Sequence, residues 1–150
     1  MTAVRLLLED SADKNQANTS GATPLLMACQ HNSVPVVRLL LEARADQDQR
    51  LNCGAASLVL ACRRNFPEVT HLFLKSEVEV EVDELESGPP PLFIACIRGH
   101  AKVVQLLLQA RANRDQCTGG MSCLDIAQAQ GHSRVADLLL KCKGSSCQSR

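Results

Sequence analysis

The chain has 150 residues, 16 of them basic and 16 acidic for a formal net charge of zero, and only three Phe with no Trp or Tyr. That length is one domain's worth, and the charge balance excludes broad attraction to nucleic acid or an anionic membrane as the main activity. The longest apolar run, Pro91 to Ile97, falls far short of the ~20 residues a membrane span needs, and acids follow the first Leu triplet too soon for a signal peptide.

In chain order, the first element is a Leu-rich segment, Val4-Arg5-Leu6-Leu7-Leu8, followed by Ala12-Asp13. A fuller line comes next. Gly21-Ala22-Thr23-Pro24-Leu25 opens a short helix with a hydroxyl N-cap and a proline at the first helical position, where no N–H is missed. That helix runs through Ala28-Cys29 to Asn32. A second helix follows at once, with Pro35 in its first turn and a stripe of Val36, Val37, Leu39, Leu40 and Leu41 at helical spacing. The turn-rich stretch Asp46 to Asn52 then projects as a finger.

The same line recurs three more times. One copy carries Leu58, Ala61, Cys62, Asn65, Pro67 and Val69; the next carries Pro91, Leu92, Ala95, Cys96, Gly99, His100 and Leu106 to Leu108. The last carries Ser122, Leu124, Ala127, Gly131, His132 and Leu138 to Leu140. The anchors Leu25, Leu58, Leu92 and Leu124 stand 33, 34 and 32 residues apart. A period in that range means stacked units, none of which buries its apolar face alone. Asn32, Asn65, Gly99 and Gly131 close the first helices; Asn and Gly enter the left-handed region most cheaply, so one backbone demand is met four times.

From about Val4 to Lys141 the pattern resembles the ankyrin repeat, in its Gly-x-Thr-Pro-Leu…Ala…Gly-His…Val-Val-x-Leu-Leu-Leu line. The resemblance implies an all-α solenoid of stacked helix-turn-helix units with projecting hairpin-like loops. The expected ankyrin domain covers residues 1–143, as a partial repeat at about 1–13 and full repeats at 14–46, 47–79, 80–113 and 114–143, with 144–150 a flexible tail. The family's His after Thr-Pro-Leu is replaced by Leu26, Val59, Phe93 and Asp125, and its usual Gly after the second helix by Ser11, Arg44, Glu77, Arg111 and Lys143. The third repeat departs furthest, with Ala56-Ser57 in place of Thr-Pro and Thr70-His71 inside its second helix; it is expected to be the least stable layer.

Cys29, Cys62 and Cys96 recur at the repeat period after the Ala of each first helix, so they read as small buried apolar residues. That use of thiols points to a reducing setting, cytosolic or nuclear. No Cys-x-x-Cys occurs, and neither Cys117/Cys123 nor Cys142/Cys147 has zinc-site spacing. His100 and His132 fill a repeat position, His71 has no Cys or Asp at a helical offset, and Gly119-Gly120 lacks the Lys-Ser/Thr of a phosphate loop. No catalytic set, metal or cofactor is expected.

Two charge features remain. The run Glu77 to Glu86 alternates Val with acids and reads as an extended acidic finger; it holds the insertion that stretches one period to 34. Arg63, Arg64 and Arg98 stand near the ends of first helices, with Gln30, His31 and Gln130 continuing the row and Arg64 and Arg98 at equivalent positions. In the ankyrin architecture those ends and the fingers form a concave binding face. The resemblance therefore implies recognition of a protein partner by a monomer, with Gln30, His31, Arg63, Arg64, Arg98 and Gln130 as contact residues beside the finger residues Gln49, Arg50 and Arg114. The half repeat at Met1 suggests a second reading, a regulatory or targeting region cut from a larger enzyme or channel.

Overall fold

The computed structural model describes residues 2–47, 49, 56–76 and 89–141. The acidic run Glu77 to Glu86, Arg50 and the tail 144–150 lie outside the described residues. Contacts group the chain into two compact units, Met1–Val80 and Glu81–Arg150.

The first unit contains α1 (Thr2–Glu9), α2 (Pro24–Gln30), α3 (Val34–Glu42), α4 (Ser57–Arg63) and α5 (Pro67–Lys75). Helix α2 packs on α3 and α4 on α5, while α2 also meets α4 and α3 meets α5. First helices thus form one layer and second helices another. The second unit repeats the scheme with α6 (Pro91–Ile97), α7 (Ala101–Gln109), α8 (Cys123–Ala129) and α9 (Ser133–Lys141). A hairpin of β1 (Cys117–Thr118) and β2 (Met121–Ser122) precedes α8, pairing Cys117 with Ser122 and Thr118 with Met121. Gly119 and Gly120 turn it with φ of +60° and +80°, the double positive φ that a two-residue hairpin turn demands.

Helices this short are marginal alone and hold through packing. Leu25, Leu26, Leu60, Leu92 and Leu107 are wholly buried with Val37, Val69, Val103, Val104 and Val135, and Phe73 is the largest wholly buried side chain among the described residues. Each such side chain contributes roughly 1.5–3 kcal/mol when removed from water. Leu26, Val59 and Phe93 stand where the family line has His, and all three are in this core. Helix α1 is less covered: Leu6 and Leu7 are 53% and 58% exposed.

The helix starts follow the local sequence. Thr23 Oγ1 accepts from Leu26 N at 3.3 Å, with Pro24 at the first position of α2. Ser122 builds a full capping box: its Oγ accepts from Asp125 N at 3.2 Å, and Asp125 Oδ2 accepts from Ser122 N at 3.0 Å. Ala56 caps α4 with no side-chain hydrogen bond although its backbone, φ −85° and ψ 164°, matches that of Thr23.

The helix ends share one device. At Asn32, Asn65, Gly99 and Gly131, φ is positive, as the repeat requires. Each donates its N–H to the carbonyl three residues back, and the next residue donates five back, as in Gly99 to Cys96 and His100 to Ala95. The second helices end the same way at Arg44 (φ 57°) and Arg111 (φ 64°), and α1 at Ser11 (φ 62°). The glycine missing there from the family line leaves the left-handed geometry intact and forces an L side chain into it. Helix α5 differs: Ser76 is extended, and its hydroxyl donates to Phe73 O at 2.7 Å. That hydroxyl also reaches Oε1 of Gln47, a buried polar side chain, at 3.1 Å.

Candidate functional site

His31, Arg64, Arg98 and Gln130 are the C-caps of α2, α4, α6 and α8. Their backbones coincide, with φ between −96° and −86° and ψ between −3° and 6°. All four are exposed. The cause is local: each C-cap precedes the left-handed Asn or Gly, so the chain leaves the helix in one direction and the C-cap side chain points away from the core. The first unit sets His31 and Arg64 at the ends of packed neighbours α2 and α4, and the second does the same for Arg98 and Gln130 on α6 and α8.

The residues one position earlier are less uniform. Arg63 is exposed, whereas Gln30 is half-buried. Among finger residues Gln49 is half-buried, and the Arg114 side chain is only 21% exposed with Nε 3.9 Å from Asp115 Oδ1. Arg114 is therefore engaged at the base of its hairpin. The finger bases are fastened by short side chains. Asn18 Oδ1 accepts from Ser20 N, Ser20 Oγ and Ala22 N at 3.0, 2.7 and 2.9 Å, and Asn15 Oδ1 accepts from Asp46 N, at the far end of the same repeat, at 2.9 Å.

His132 has a structural position. Its Nε2 lies 3.0 Å from Ile97 O, which requires the proton on Nε2, and its ring covers Gly99 so closely that a Cβ there would lie 2.6 Å from Nδ1. One repeat thereby satisfies a helix-end carbonyl of its neighbour.

The thiols are sealed between layers. Burial pushes the Cys29 thiol up to about 12, and the Ser57 hydroxyl facing it offsets this only in part. That hydroxyl falls short of full hydrogen-bond geometry and is left unsatisfied; sulfur is a weak partner. Burial likewise lifts Cys62 to about 12 against a hydrogen bond with Thr70. Cys96 is raised further, first by its hydrogen bond with the Cys123 thiol and then by burial. Such thiols are protonated and inert as nucleophiles at neutral pH. Among the described residues no group of three or more His, Cys, Asp or Glu could hold a metal ion, and no helix is long and apolar enough to cross a membrane.

A family model described as ankyrin repeats (3 copies) matches residues 1–84 and again 58–150, which together span the chain. No curated protein matches it.

Proposed function

The chain belongs to the ankyrin-repeat family, and from that membership we propose that it is a protein-recognition module that grips its partner with the exposed first-helix ends and the fingers. Such repeats are in general protein–protein interaction modules and typically non-catalytic. The observation that carries the finer reading is the common C-cap geometry, which presents His31, Arg64, Arg98 and Gln130 from rigid helix ends. A side chain held on a fixed backbone loses little further freedom on binding. Arg is over-represented among residues that dominate interface energy, because its fork pairs with carboxylates and its plane stacks on aromatics. Arg63 adds a third exposed guanidinium to the set.

We read the module as a monomer working in a reducing compartment; the buried thiols Cys29, Cys62, Cys96 and Cys123 support the second of these. The test is affinity capture from source-cell lysate with the wild type and with Arg64→Glu combined with Arg98→Glu. Both side chains are exposed, so the double variant is expected to keep its helical circular dichroism and its melting curve to within about 1–2 kcal/mol of stability, the cost of two acids near helix C-termini. It is expected to lose the partners that the wild type retains. Undiminished capture by the folded double variant would move the binding surface away from these helix ends.

A further inference from the structure

On the second-helix layer of the first unit, a groove of about 520 Å³ runs between the C-terminal halves of α3 and α5. Leu41 and Leu72, both half-buried, form its apolar floor; Arg38, Arg44 and Lys75 stand at its rim with one acid, Glu42, among the described lining residues. The three cations are exposed, and none makes an ion pair with a described residue.

A helix C-terminus attracts cations on its own account within its last turn, and Lys75 sits in such a turn. That account does not reach Arg38, which lies mid-helix in α3. Nor does it favour Arg44, which holds φ 57°, a left-handed conformation that is unfavourable for an L residue. The carbonyls that would repel an anion are themselves occupied: Ala43, Arg44 and Ala45 donate to Leu39, Leu41 and Leu40, and Ser76 donates to Leu72 and Phe73. At the matching positions of the second unit stand Gln105, Arg111 and Lys141, so Arg38 is the cation that the first groove adds.

We propose that this groove binds an acidic peptide segment of a partner protein, one that sets an apolar side chain between two carboxylates. The apolar residue lies on Leu41 and Leu72, and the carboxylates meet Arg38 and Arg44 on one side and Lys75 on the other. Guanidinium groups accept carboxylates in a two-pronged geometry, and an apolar floor lowers the local dielectric under those pairs. None of the groove's residues belongs to the first-helix ends, so this second contact is independent of the one proposed above.

The probe is a fluorescein-labelled peptide of alternating Glu and Leu, titrated by anisotropy into the full chain. Acids crowd the run from Glu77 to Glu86 directly after Ser76, so a chain with those acids changed to Gln or Asn is titrated beside the wild type. Saturable binding by either chain is expected, weakened at least tenfold by Arg38→Glu with Lys75→Glu. A smaller loss is expected for Arg38→Gln with Lys75→Gln, which preserves fold if charge reversal does not. Arg111→Glu with Lys141→Glu, and Arg64→Glu with Arg98→Glu, are expected to bind like their parent. The proposal is overturned by absence of saturable binding in both chains, by full binding after reversal at Arg38 and Lys75, or by equal losses in all three reversed variants.

Discussion

Gly99 and Gly131 occupy the same repeat position with nearly the same φ, +70° and +73°, yet their surroundings differ. A Cβ at Gly99 would lie 2.6 Å from the His132 ring, whereas one at Gly131 would meet nothing within 4 Å. The pair separates backbone strain from crowding. Gly131→Ala is expected to lose roughly 1 kcal/mol, the strain of an L residue in the left-handed region. Gly99→Ala is expected to lose about 2–3 kcal/mol, because His132 must also give up its hydrogen bond to Ile97. Urea unfolding of the two variants measures the difference, and equal losses would mean that the ring can move aside at no cost. At this scale the sequence was legible for the turn, since Asn32, Asn65, Gly99 and Gly131 recur at one position. The ring over Gly99 was not, since nothing in a single repeat says which atom of the next repeat will lie above it.

Among the described elements, the seven left-handed helix ends are alike and the starts are where the repeats differ. Helix α8 has a complete capping box and α2 a Thr cap with proline behind it, while α4 starts at Ala56 with its Ser57 hydroxyl buried and unsatisfied. The backbone of Ala56 already has the cap conformation, so Ala56→Thr places an oxygen where Val59 N needs an acceptor. We expect a gain of about 1 kcal/mol and slower amide exchange in α4 and α5, read by hydrogen-exchange mass spectrometry. An unchanged exchange profile would show that the third repeat is limited by something other than its cap. The Ala-Ser dipeptide marked this weakness in the sequence. Asp125 stands where the family has His, and the Ser122-x-x-Asp125 spacing is itself the signature of a capping box, which the folded turn closes by bringing the carboxylate back onto Ser122. The fingers were legible as turns but not in their fastening: Arg114 spends its guanidinium beside Asp115, and Gln47 is buried against Ser76.

Across the whole molecule the sealed thiols couple stability to alkaline pH. Cys29 and Cys62 are raised from an ordinary value of 9.0 to about 12 in the folded chain. The folded state therefore keeps protons that the unfolded chain releases. The stabilisation is fully present below pH 9 and is lost as pH rises toward 12, with a limiting slope of about 1.4 kcal/mol per pH unit for each thiol. The chain has no Tyr to add a competing titration. Melting temperature is expected to fall between about pH 9 and pH 11, more steeply in the wild type than in Cys29→Ala with Cys62→Ala, which starts lower because of the cavities it creates. Parallel slopes would place the alkaline loss elsewhere.

The sequence by itself determined the repeat, its two-helix content, the buried thiols and the left-handed turns. Each of these depends on residues close together within a single repeat, and recurrence makes a local signal legible. Tertiary structure alone decided how neighbouring repeats meet: His132 over Gly99, Cys96 against Cys123, and the basic groove between α3 and α5. Those contacts join residues about 27 to 37 positions apart in the chain. Their partners are chosen by helix packing and side-chain direction, which a linear pattern does not encode.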